Sequence, residues 1–345
     1  MKHAILLKPN TNIPYFEEMK KMCFFELQIV LNKLNIEFDN MNVEALGLGY
    51  YLSFETEEVL DESALSHIKN LSFYYAYFQC LEGMLKPVDI ELNHYFTEDL
   101  SNRLKYSGKT NEAFTAMMLN LALYASDFDA NDTLCVFDPV CGRGTTLFEA
   151  MIRGHHGFGS ELNKKSVGEL SQYFQRYLKE GKYKHQVVRG RAIHNKKTIG
   201  ETFEASIGIN KEEVKKKTGK QLKVFRGDTT ESNLYFKKQS MHVIVGDLPY
   251  GVQHMSKHEE GQTRNLEELL KASFKSWYSL LKKGGALALS WNTYTNTRQE
   301  LKAYLEEYGY QVVDDSEYMQ FHHRVSQAIN RDIIVAVKKW GSYEN

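Results

Sequence analysis

From residue 133 onward the chain predicts an α/β domain on a doubly wound, mostly parallel sheet, with a small α+β unit ahead of it. Three observations carry this. Short apolar runs alternate with stretches of helical periodicity almost to the end of the chain. Two of those runs end in Asp-containing turns, Asp138-Pro139-Val140-Cys141-Gly142-Arg143-Gly144-Thr145 and Asp247-Leu248-Pro249-Tyr250-Gly251. In such sheets, ligands bind at the carboxyl ends of the strands. Residues 1–95 break the rhythm with short, aromatic-rich strands.

In order, Ala4–Leu7 reads as a strand, Tyr15–Leu34 as a helix, and Leu46–Phe54 as a strand containing glycines. Glu57–Asn70 is a helix and Phe73–Cys80 an aromatic strand. The aromatics suit either a sheet core or a platform for stacking bases. Residues 96–132 form a linker, in which Ser107-Gly108-Lys109-Thr110-Asn111 introduces a helix, Glu112–Ser126. Its apolar face is built on Phe114, Met117, Met118, Leu121 and Leu123. Then follow strand Leu134–Phe137, helix Thr146–Arg153, strand Gly157–Ser160, helix Lys164–Glu180, and strands Leu222–Phe225 and His242–Val245. The chain continues with helix Leu266–Leu281, strand Ala286–Ser290, helix Arg298–Tyr308, and strands near Gln311–Val313 and Asp332–Val337. Between 181 and 221 the alternation stops. From Lys179 to Arg226 there are 14 Lys/Arg against 5 Asp/Glu, so this basic insertion is either a solvated loop or a surface for phosphates.

The first turn has the residues of a nucleotide site with one substitution of character. Gly142 and Gly144 let the backbone approach a ligand, and the following helix start offers free amides. The third glycine of the dinucleotide fingerprint is absent, since Leu147 holds its place, and Asp138 already occupies the strand end. A carboxylate there repels a pyrophosphate and attracts a cation. S-adenosylmethionine (SAM), with its ammonium and sulfonium, suits the site better than NAD. The second turn sets a carboxylate, Asp247, and the Leu248 carbonyl where both can accept from an amine. Pro249 stiffens that turn, and Tyr250 offers a flat face for a base swung out of its stack.

Together the two turns resemble those of class I SAM-dependent methyltransferases, Rossmann-like enzymes that modify nucleic-acid bases. More narrowly they are similar to the THUMP-associated tRNA and rRNA guanine methyltransferases, over roughly residues 100–340. The N-terminal unit departs from that family in lacking a full-length THUMP signature. The resemblance implies a methyltransferase domain over 133–345 and a helix before it that helps close the SAM pocket. It implies cofactor contacts from Asp138, Pro139, Cys141, Gly142, Gly144, Thr145, Glu161, Leu162, Asp228 and Thr229. Asp138 would hold the ammonium, Glu161 the ribose hydroxyls and Asp228 the adenine amine. Asp247, Leu248, Pro249 and Tyr250 would carry catalysis. Tyr250, Gly251, Lys215, Lys216, Lys217 and Arg324 would contact the RNA substrate. The acceptor is read as guanine N2 or N7.

Composition bounds the rest. A net charge of −1 gives no global field for nucleic acid, so any such surface is local. Cys23, Cys80, Cys135 and Cys141 show no paired C-x-x-C spacing, which fits neither a disulfide framework nor a zinc site. His254 and His258 have the spacing of a helical metal pair but lack further ligands, and no metal is expected. No apolar run is long enough to span a membrane, so a cytoplasmic protein is expected. A DNA adenine or cytosine amino-methyltransferase, a protein-glutamine methyltransferase and a non-catalytic RNA-binding module are the competing functions.

Overall fold

A computed structural model describes residues 1–9, 13–92, 94–106, 108–248 and 266–340. The N-terminal unit is β1 (Lys2–Leu7), α1 (Ile13–Lys33), β2 (Asp39–Leu46), β3 (Gly49–Glu55), α2 (Glu62–Ile68), β4 (Tyr74–Leu81) and β5 (Met84–Val88). Its strands form an antiparallel sheet in the order β2-β3-β1-β4-β5. The predicted strand Leu46–Phe54 is β3 from Gly49 onward, and it is the second arm of a hairpin whose first arm, β2, the pattern did not predict. The chain reverses at Gly47-Leu48, where Gly47 takes φ +61°, a left-handed turn for which glycine has no steric penalty. Strand β5, which the pattern did not predict, pairs with β4 across a turn at Glu82-Gly83.

After α3 (Asp99–Asn102), α4 (Glu112–Ala125) begins with Asn111 as its cap, the side chain accepting from the Ala113 and Phe114 amides. Sequence periodicity predicts one apolar face. In the structure every residue from Phe114 to Tyr124 is buried, because α4 lies between α1 on one side and the large sheet on the other. One apolar cluster runs without a break from Ile5 and Leu52, through Met117 and Leu121, to Val136 and Val243.

The large sheet uses β6 (Cys135–Asp138), α5 (Thr145–Ile152), β7 (His156–Glu161), α6 (Lys164–Glu180), β8 (Lys184–His194), β9 (Lys197–Gly208), α7 (Lys211–Lys216) and β10 (Lys220–Arg226). It continues through α8 (Ser232–Tyr235), β11 (Met241–Asp247), α9 (Leu266–Leu280), β12 (Leu281–Asn292), α10 (Arg298–Glu307), β13 (Gln311–Val312), β14 (His323–Arg324) and β15 (Asn330–Val337). The order is β13-β15-β12-β11-β6-β7-β10-β9-β8, with β14 paired to β15. The centre, β10-β7-β6-β11-β12, is parallel, and both flanks are antiparallel.

The basic insertion is thus largely strand rather than loop. Phe203, Ala205 and Ile207 alternate with exposed or half-buried residues along β9, and their buried face joins Phe174, Leu178 and Val224 in a core cluster. Asn195 and Lys196 both take positive φ (48° and 64°) at the tip, the two-residue turn whose twist suits a hairpin.

Candidate active site

Strand order reverses beside β6, with β7 and β10 leading away on one side and β11 and β12 on the other. That reversal opens a crevice at the carboxyl edge, where open α/β sheets bind ligands. β6 ends at Asp138 and β11 at Asp247, with Val136 and Phe137 in register with Val243 and Ile244. Pro139 fills the space between the two strand ends, since a Cβ on Gly246 would lie 3.2 Å from its ring.

The turn after β6 is fastened at both ends. Asp138 Oδ1 accepts from the Val140 amide (3.0 Å), and the Cys141 amide donates to the Ser160 carbonyl (2.9 Å). Gly144, at φ +91°, caps α5, and a Cβ there would come within 2.8 Å of Leu170. Gly142 is also left-handed (φ +51°), but its Cβ position faces open space, so this is the point where the backbone is bared to a ligand. Cys141 is buried, and burial pushes its thiol well above the usual range, the opposite of an activated nucleophile. The Thr145 hydroxyl is 3.1 Å from the Tyr106 hydroxyl, and the Arg143 guanidinium lies 4.3 Å from the Tyr106 ring centre. Tyr106 therefore covers the turn, a role that nothing in its local sequence marks.

Three carboxylates gather around this crevice. Glu161, ending β7, accepts from the Gly142 amide through Oε2 (2.9 Å) and from the Asn163 amide through Oε1 (2.6 Å). Asp138 is only 4% exposed. Burial pushes its pKa up to about 7, and the nearby Glu161 and Asp247 carboxylates add to the effect. Among the described residues no group of three or more His, Cys, Asp or Glu is arranged to hold a metal ion.

Asp247 is held by residues from far along the chain. Its Oδ2 accepts from the Thr110 hydroxyl (2.7 Å) and from Arg331 Nη2 (3.0 Å). The Arg331 guanidinium in turn lies 5.3 Å from the ring centre of Phe114. Asp247 Oδ1 is buried and accepts no hydrogen bond among the described residues. Leu248 is buried, its amide donating to the Ser290 carbonyl (2.8 Å). Pro249, Tyr250 and Gly251, like His254 and His258, lie outside the described residues.

The profile of a protein family described as UPF0020, RMKL-like, methyltransferase domain matches residues 103–312, more than half of the chain. The chain belongs to this family. It is a class I SAM-dependent methyltransferase. Among solved structures it is similar to TrmN from Thermus thermophilus, at 15% identity and a TM-score of 0.41 over 86% of this chain. The match spans 59% of the TrmN chain. It is also similar to magnesium protoporphyrin IX methyltransferase (ChlM) from Synechocystis PCC 6803 with bound SAM, at 14% identity and TM-score 0.39, over 82% of this chain and 100% of that one. An rRNA methylase from Streptococcus thermophilus matches at 12% identity and TM-score 0.35, over 65% and 96%. These likenesses are weak, and the family match carries the identification. A comparison with curated protein sequences found no match.

SAM is the cofactor of this methyltransferase, and the crevice fits it. The charges that bear most on Asp138 are carboxylates, so the ammonium of SAM would meet a matching acid there. Gly142 bares its backbone beside it, and Glu161 closes the same edge with its oxygens on the Gly142 and Asn163 amides. Half-buried Asp228, just past β10, uses Oδ1 to accept from the Thr230 amide and hydroxyl (2.9 and 2.7 Å). Leu162 is partly exposed beside Glu161. Thr229 is buried, its hydroxyl accepting from Trp277 Nε1 (3.0 Å).

Of the residues read as RNA contacts, Arg324 pairs with Asn330 next to Arg331, on the Asp247 side of the sheet. Lys215, Lys216 and Lys217 fall elsewhere. β9 runs antiparallel to β10, so α7, which joins them, sits at the amino end of β10. The length of that strand, about 20 Å, separates them from the carboxyl edge. Among the described residues no helix is long and apolar enough to cross a membrane.

Proposed function

We propose that this methyltransferase modifies an RNA base in tRNA or rRNA, with guanine as the base and N2 or N7 as the acceptor. The observation that carries the reading is the state of Asp247. One oxygen is fixed by Thr110 and Arg331, while the other is buried and unbonded among the described residues. A buried acceptor without a donor is costly, by about 1–3 kcal/mol, and calls for an explanation. A base amine supplies the missing donor.

An exocyclic amine is a poor nucleophile because its lone pair is conjugated into the ring. Asp247 Oδ1 and the Leu248 carbonyl would each accept one amine hydrogen, localising that lone pair toward the methyl. Bound SAM supplies an electrophilic methyl on sulfur. The amine nitrogen would take that methyl while the sulfur leaves as a neutral thioether, and the cationic product would pass one proton to solvent while Asp247 and the Leu248 carbonyl hold the nitrogen in line. Alignment accounts for much of the rate in such a displacement. For N7, which has a free lone pair, Asp247 would instead read the guanine N1–H and amine. Tyr250 would stack the extruded base in both schemes.

The test is methyl transfer from labelled SAM to total RNA, DNA and protein offered separately, followed by mass-spectrometric mapping of the product nucleotide. Label in a guanine of RNA supports the reading. Label in DNA amino groups or in protein glutamine overturns it in favour of those substrates.

A further inference from the structure

The β8–β9 hairpin does more than widen the sheet. Arg226, the last residue of β10, is in register with Glu161 on one side and Glu201 on the other. β9 continues beyond Glu201 to Lys197, and the Asn195-Lys196 turn lies farther still. The tip therefore overhangs the carboxyl edge by about 13 Å, on the same side of the sheet as the SAM crevice. Arg191, Lys196 and Lys197 are exposed on it, and no acid lies between Arg189 and Lys197.

Beneath this overhang, between α6 and the hairpin, is a cavity of about 400 Å³. Lys164 from α6, Arg189 and Arg191 from β8, and Arg226 from β10 line it against one acid, Glu201. Arg226 Nε donates to Glu201 at 2.9 Å. The Glu201 carboxyl is held below its usual range, by Arg226 first and also by Lys164 and Arg191, so these cations bear on one point. Arg189 is steadied by the Ser171 hydroxyl (3.1 Å) and lies 5.7 Å from the Phe203 ring centre. Basic residues on an edge strand guard against edge-to-edge pairing. That explains charge on β8, but not why α6 and β10 add theirs to the same cavity.

We propose that this groove and the overhanging tip are a phosphate track, which holds the backbone of the RNA strand flanking the target base. The inference rests on RNA being the substrate. β10 lies three strand spacings from β11, about 14 Å, and β8 two further, so the track begins a few nucleotides from the acceptor. Contacts of this kind position a strand without reading its sequence.

The experiment uses the full chain, bulk tRNA and duplex DNA, with binding measured across a range of salt concentrations. Charge reversal of the tip (R191E, K196E, K197E) should raise the tRNA dissociation constant at least tenfold. It should also flatten the log–log salt slope by about 2, near 0.7 per lost contact. SAM binding by calorimetry should be unchanged. The milder pair R191Q and K197Q should move the slope the same way by about two-thirds as much, which guards against loss of the hairpin fold. Reversal of Lys215, Lys216 and Lys217 should move it less than the tip does. If wild-type protein binds and methylates RNA and the tip variants keep its slope, the track is wrong while the RNA reading stands. If wild-type protein methylates DNA or protein and not RNA, the substrate reading fails and the track with it.

Discussion

Two carboxylates in this molecule, one fully buried and one half-buried, are treated in opposite ways. Glu26, on α1, is fully buried and accepts from the Ser72 amide (3.0 Å), the Ser72 hydroxyl and the Asn120 side chain. Asn120 Nδ2 also donates to the Asn70 carbonyl (2.9 Å), and the Asn120 carbonyl accepts from Arg153. Both Glu26 oxygens are met, and the network ties the N-terminal unit to α4 and to the end of α5. Among the described residues, Asp247 is met on one oxygen only. A fully satisfied polar network holds elements together, whereas a buried oxygen left without a donor calls for an explanation, which the proposed base amine would supply.

The sharpest break of this comparison is Asp247→Ala. It should lower kcat by at least about 100-fold while leaving SAM affinity by calorimetry within about twofold, the mark of an interaction made mainly at the transition state. Unchanged turnover would remove Asp247 from the chemistry. A loss expressed mainly as a raised KM for RNA would favour N7, where the carboxylate orients the base.

Glu26→Ala should do the reverse. Removing one member of a buried network should cost about 3 kcal/mol of stability in urea unfolding, with activity per folded molecule retained. Glu26→Gln, which keeps the shape and two of the acceptor lone pairs, should cost less. A drop in activity at full stability would erase the distinction between the two sites.

Smaller effects are expected from the groups that hold Asp247. Thr110→Val and Arg331→Leu should each lower kcat about tenfold, because they position the carboxylate without touching the acceptor. Neither should add appreciably to Asp247→Ala. Additive losses in that double-mutant comparison would show that they act independently of the carboxylate.

The mildest test is pH. The buried Asp138 keeps its proton up to about pH 7, whereas a SAM ammonium favours the ionised form. Binding should therefore release a proton. Affinity should fall as pH drops below about 7, by up to about tenfold per unit, and level off above it. In the absence of ligand the sign is that of a raised carboxyl: its contribution to stability is full below about pH 4 and is lost as pH rises through 7. Asp138→Asn should weaken binding and flatten the profile, and a wild-type profile as flat would remove Asp138 from the ammonium contact.

Much of the fold was legible because its signals act over one or two turns of chain. The helix expected over Lys164–Glu180 has those bounds in the structure, since Asn163 caps its start and the chain leaves it at Gly181. The β8–β9 hairpin escaped because charge masked the period-two pattern of Phe203, Ala205 and Ile207. The glycine turn and both strand-end aspartates could be read from residue types alone, as each needs only a strand end and a turn.

What the sequence by itself determined, then, is local: which residues turn, which strands end in carboxylates, and which helices start where. Tertiary structure alone decided which of these meet. Thr110 and Arg331 reach Asp247 across 137 and 84 residues, and no local pattern marks either. Lys217 and Lys197 look alike in the sequence, yet one lies at the amino end of β10 and the other overhangs the carboxyl edge. Caps and periodicity act within a few residues of chain, whereas those meetings are set by strand order and direction, which emerge only when distant segments bury their apolar faces together.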